Sequence, residues 1–169
     1  MKALRPRSGF PAICACLWVA LTPARASADC SSGRLPESRE AYVAALGSRL
    51  ANFGAGQVVD VGPNGNFDVV AIPAADAFVY LVPPVGPVGE IAQIAHAPVS
   101  DRDLKLQRTI VAFTLARYAS VTEQQVMARI VEEDDRHLNK GMWIVKIGDA
   151  IAVYTRNDDG LVVKFGVCD

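Results

Sequence analysis

The sequence predicts an α+β domain: a mostly antiparallel sheet with an N-terminal helix and a helical pair, in the order α-β-β-β-α-α-β-β-β. Three observations carry this. Two adjacent segments, opening at Ser100 and Thr122, have complete helix-start signals. Short apolar runs punctuated by Gly, Asn and Asp stand on either side of them. The C-terminal stretch alternates its side chains with period two and breaks twice at turn residues.

The first helix is read from LPESREAYVAALGSRLANFGAG, where Tyr42, Val43, Leu46, Leu50 and Phe53 form a helical stripe. Pro36 suits its first turn, and Gly54 and Gly56 supply an exit. Three β-runs follow: residues 57–61, 67–72 and 77–82. The first two are separated by the turn Gly62-Pro63-Asn64-Gly65, and the last is apolar throughout, as suits a strand inside a sheet.

The next two helices span about residues 101–119 and 123–138. Ser100 caps the first, with Asp103 at the third helical position and Val99 placed to pack on Leu104. Thr122 and Gln125 repeat the pattern, with Val121 facing Val126, and Asn139 and Gly141 offer the stop. The tail reads as a three-strand meander with turns at Gly148-Asp149 and Asn157–Gly160. A three-residue first loop would set Val145 against Val153. A three-residue second loop would then gather Lys146, Arg156 and Lys164 on the other face, whereas a four-residue loop would put Lys164 with Val153.

Between Val82 and Val99 the chain reads VPPVGPVGEIAQIAHAPV, with Glu90 its one formal charge. Pro83, Pro84, Pro87 and Pro98 forbid a central strand and break any long helix, leaving room for a short helical turn over Glu90–Ala95. Connections of this length usually work as lids or binding loops. The stretch is expected either to cover the sheet edge or to present an apolar contact surface.

The N-terminus orders its residues as a secretory signal peptide does. Lys2, Arg5 and Arg7 precede an apolar run from Phe10 to Leu21, and Ala26-Ser27-Ala28 forms a small-residue cleavage site. The run is too short to cross the ~30 Å hydrocarbon core as a helix. Cleavage after Ala28, with Ala26 the second candidate, leaves a single domain over residues 29–169 in the periplasm or medium. It also removes Lys2, Arg5, Arg7 and Arg25 and no acidic residue, so 18 carboxylates face 13 cations, net −5. That balance argues against nucleic acid and anionic membranes as partners, and nothing in the mature chain marks an integral membrane protein. Cys14 and Cys16 leave with the leader. Cys30 and Cys168 remain, and an even count in an oxidising compartment reads as a disulfide stapling the termini.

Chemistry is sparsely signalled. His96 and His137 are the histidines, there is no G-x-S-x-G, and no cofactor motif stands out. In VEEDDRHLNKG, Glu133 and His137 lie four apart on one helical face, a possible seed of a metal or acid–base site. The same residues also suit a solvated last turn at the negative helix end. The reading preferred from the sequence is a small exported, non-enzymatic protein-binding module, an envelope accessory subunit or an inhibitor or immunity-type factor. Val85, Val88, Ile91 and Ile94 of the Pro/Gly loop would be its anchors, and Lys146, Arg156 and Lys164 a steering strip. The rival reading is a small exported hydrolase or metal-dependent enzyme centred on Glu133 and His137.

Overall fold

The computed structural model describes residues 30–31, 35, 37–54, 57–82, 90–96, 100–137, 141–158 and 160–168. Residues 1–28, read from the sequence as a signal peptide, lie outside the described residues, as do Pro36, Gly56, residues 83–89, Val99 and Asn139 of the expected helix stop. Within them the chain is α+β, as the sequence predicts. The elements are β1 (Cys30–Ser31), α1 (Arg39–Ala51), β2 (Val59–Asn64), β3 (Phe67–Ile72), β4 (Ala77–Val82), β5 (Glu90–His96), α2 (Asp101–Ala119), α3 (Glu123–His137), β6 (Met142–Ile147), β7 (Ala150–Asn157) and β8 (Gly160–Cys168). All strand pairs are antiparallel, in one sheet of order β2-β3-β4-β5-β8-β7-β6, with β1 paired to β8.

The helix starts follow their local chemistry. Ser38 caps α1 by accepting a hydrogen bond from the Ala41 N–H at 3.3 Å. Ser100 accepts from the Asp103 N–H at 3.2 Å, and α2 ends at Ser120 in the left-handed region. Thr122 and Gln125 cap reciprocally: the Gln125 N–H donates to Thr122 Oγ1, and the Thr122 N–H donates back to Gln125 Oε1.

Three sequence expectations are corrected. The stretch from Val82 to Val99 is not all loop, because residues 90–96 form β5, a strand inside the sheet between β4 and β8. Proline excludes a strand only where it sits, and Pro87 and Pro98 flank this one. Between them Ile91, Gln93 and Ala95 alternate inward with period two. The second correction is register. The β6–β7 turn is two residues, with Ile147 opposite Ala150, and Gly148 supplies its positive φ of 57°. Val145 therefore faces Ala152, and Tyr154 rather than Val153 turns inward. Further upstream, Gly62 and Pro63 belong to β2. A bulge after Asp60 leaves Val61 unpaired, and Gly62 beside it sits at φ 89°.

Following the register across the sheet gives one inward face: Asp68, Val70 and Ile72 of β3, then Ala77, Val79 and Leu81, Ile91, Gln93 and Ala95, Val163 and Phe165, Ala152 and Tyr154, and Trp143 and Val145. This face shares a single core with Tyr42, Leu46 and Leu50 of α1, the Leu106–Ala116 stretch of α2, and Val126 and Ile130 of α3. Every residue of α2 from Thr109 to Ala116 is buried, so its polar members need local partners. Thr109 and Thr114 donate to the carbonyls one turn back, Gln107 Nε2 donates to the Ala75 carbonyl, and the Tyr42 hydroxyl lies 2.7 Å from Thr114 Oγ1.

Arginine–carboxylate pairs fasten the layers. Arg39 bonds Asp68, which is buried on the inward face, and also Asp60 at 2.6 Å. Those hydrogen bonds raise the Arg39 pKa and hold the Asp60 carboxyl below its ordinary value. Arg49 reaches Glu123 at 2.6 Å, Arg117 reaches Glu37 at 2.6 Å, and Arg108 reaches Asp134 at 2.8 Å. Truncating one partner of a buried pair strands the other charge. Arg39→Ala is therefore expected to cost about 3–5 kcal/mol in urea unfolding. Arg129→Ala, which breaks a half-exposed pair to Glu132 and another to Glu133, should cost clearly less. Equal costs for the two variants would contradict this assignment of the Arg39 pair.

Candidate interaction surface

The sequence-derived anchors separate in the structure. Val85 and Val88 lie outside the described residues. Ile91 is 1 % exposed and belongs to the core, so it is not a surface anchor. Ile94 is in β5, where its register partners are Phe78 of β4 and Val162 of β8.

The basic strip also divides. Lys146 and Lys164 share the outer face, Lys146 opposite Ile151 and Lys164 opposite Val153. Arg156 is on the helix side, with its guanidinium carbon 5.4 Å from the centre of the Trp143 ring. The two-residue first turn shifted the parity of β7, which moved Arg156 to the opposite face from the lysines.

Glu133 and His137 do meet on one face of α3, as their spacing predicts. His137 Nδ1 lies 3.3 Å from Glu133 Oε2 and 2.8 Å from the Glu133 carbonyl oxygen. Glu133 is itself held by Arg129 at 2.6 Å and approached by Arg136 at 3.6 Å. The pair is thus part of a charge network around the buried Glu133 carboxylate, and no group of three potential metal ligands occurs among the described residues.

What sequence reasoning missed is the asymmetry of the sheet. The core helices lie on one face, and among the described residues no helix covers the other. On that face Phe67 and Tyr80 meet edge to face at 6.1 Å, Val69 is buried, and Val153, Ile151 and Val162 are half-buried. Four of the five most exposed large apolar side chains stand on the two edge strands: Val59 and Val61 on β2, Met142 and Ile144 on β6. The edges differ in kind. β2 carries a bulge and Pro63, both of which obstruct a further strand. β6 is MWIVKI, unbulged and without proline, and its outward side chains Met142, Ile144 and Lys146 are all exposed. The alternation was visible in the sequence; which strand ends the sheet was not.

Beneath β6 and β7 lies a buried polar group. The Trp143 and Tyr154 rings stack at 4.8 Å, and Asp134 sits beside them on Arg108. Burial raises the Asp134 carboxyl above its ordinary value, and the Arg108 hydrogen bond offsets only part of that. Burial likewise raises the Tyr154 hydroxyl.

No family model matches this chain, and comparison with curated proteins and with solved structures found no match.

A carboxyl raised in the folded state favours folding when protonated, so ionised Asp134 costs stability. That cost is absent below the ordinary value of 3.8 and grows as pH rises through the folded value. Relative to wild type, Asp134→Asn should therefore gain unfolding free energy as pH rises from about 4 to 7. Parallel denaturation curves across that range measure it. A flat difference, or one of opposite slope, would contradict the assigned shift.

Proposed function

We propose that the mature chain, residues 29–169, is an exported, non-enzymatic binding module of the periplasm or medium that takes an extended segment of a partner protein along β6. The observation that carries this reading is the contrast between the edges: β2 is obstructed by a bulge and Pro63, whereas β6 is straight, with Met142 at 51 % and Ile144 at 44 % exposure. A strand added there would gain main-chain hydrogen bonds, and its alternate side chains would lie on Met142 and Ile144. Lys146, exposed on β6 itself, favours a partner segment carrying an acidic residue beside its apolar ones. The leader at residues 1–28 supports export. The Cys30–Cys168 disulfide belongs to the same proposal and is supported by the β1–β8 register, in which the two residues are direct partners. Directly opposed antiparallel residues have Cα atoms roughly 4.5–5.5 Å apart, within disulfide reach. Closing so long a loop stabilises by up to ~5 kcal/mol in the chain-entropy model.

The test pairs wild type with Met142→Asp/Ile144→Asp and, as a control on the other edge, Val61→Asp. Each processed protein is immobilised and offered the envelope fraction, and the retained partner is identified, purified and titrated. The β6 variant should bind at least about tenfold more weakly, with Val61→Asp unchanged. The exposure of the mutated sites should leave melting close to wild type. Equal binding by the β6 variant, no retained partner, or self-association as a dimer lost in that variant would each overturn the reading. For the disulfide, thiol titration of the unfolded, unreduced mature protein should find no free thiol, and two free thiols would contradict it.

A further inference from the structure

The fifth exposed apolar side chain, Val131, is 36 % exposed and does not belong to the sheet. It lines a cleft of about 740 Å³ bordered by all three helices. α2 supplies Leu104, Lys105 and Arg108, α3 supplies Met127 and Val131, and Phe53 follows the end of α1. The volume falls within the range of small-molecule sites.

The charges around this cleft are unequal in their commitments. Arg49 is tied to Glu123 at 2.6 Å and Arg108 to Asp134 at 2.8 Å. Lys105 is exposed, makes no ion pair among the described residues, and stands with Nζ 5.6 Å from the centre of the Phe53 ring. Asp101, one turn earlier, lines the same cleft without pairing to Lys105. The site thus offers an apolar trough with one uncommitted cation at its wall.

We infer that this cleft binds an amphiphilic monoanion, an alkyl chain ending in a single carboxylate, with its head on Lys105 and its chain along Phe53, Leu104, Met127 and Val131. The apolar walls select the chain and Lys105 selects the head. A dianion would meet no second free cation, because withdrawing Arg108 would strand Asp134 in the interior. The ligand is a free carboxylate rather than a lipid headgroup, because Lys105 and the apolar walls line one and the same cleft between helices, so a single small molecule engages both.

Isothermal titration of the processed protein with decanoate, below its micellar concentration, tests this. Decanol and decyltrimethylammonium serve as neutral and cationic counterparts, and phosphatidylglycerol vesicles as the headgroup arm. One saturable decanoate site per chain is expected, weakened about tenfold or more by Lys105→Met, with decanol binding unchanged by that substitution. Val131→Glu, at an exposed position, should weaken both ligands. No saturable binding by about millimolar decanoate, equal decanoate affinity in wild type and Lys105→Met, or binding to vesicles without binding to decanoate would each overturn the inference. None of these readouts depends on β6, so the test stands or falls apart from the edge-strand proposal.

Discussion

Everything in this molecule depends on the pairing of β5 with β8. β2 to β5 and β6 to β8 each pair consecutively, and five register pairs, from Ala92 with Lys164 to His96 with Gly160, join the two groups into one sheet. That junction gives the helices a single continuous inward face to cover. It also leaves β2 and β6 as the two ends of the sheet among the described residues. Without it there would be two small sheets, each with too little apolar face to hold the helical pair.

The helical layer is organised around α2, which packs on the short 3-10 turn Pro73–Ala75 between β3 and β4, on β7 and β8, and on its two sister helices. A helix buried so fully has no polar stripe to spare, which explains why Thr109 and Thr114 bond back to their own helix and why Gln107 reaches the Ala75 carbonyl. The arginine pairs act at the margins of this core. Arg39 secures the start of α1 to β3, Arg49 ties its end to α3, and Arg117 ties Glu37 to α2 while stacking on Phe113 at 3.4 Å. These pairs orient packed layers; burial of the apolar faces supplies the larger driving force.

What was legible in the sequence was local. Ser100 with Asp103 and Thr122 with Gln125 encode helix starts within four residues, and the structure has both. The α1 stripe of Tyr42, Leu46 and Leu50 likewise reports a period that needs no distant partner. Register was less legible, because one residue of turn length at Gly148-Asp149 decides whether Val153 or Tyr154 enters the core, and composition does not specify it. β5 was the least legible. Its evidence is a seven-residue alternation between prolines, and its justification lies in β8, far along the chain. The candidate surface was hidden for the same reason: an edge is defined by the absence of a neighbour, which depends on long-range pairing rather than on the residues of the edge itself.

The functional account inherits that dependence, since β6 is an edge only in the sheet that β5 and β8 complete. The most direct measurement is amide hydrogen exchange, resolved by residue, on the processed protein. The account expects the hydrogen-bonded amides of residues 90–96 to exchange as slowly as those of β8, limited by global unfolding, while the outward amides of β6 exchange rapidly. Fast, loop-like exchange throughout residues 90–96 would contradict the account, dividing the sheet and returning that segment to a connection between two separate meanders.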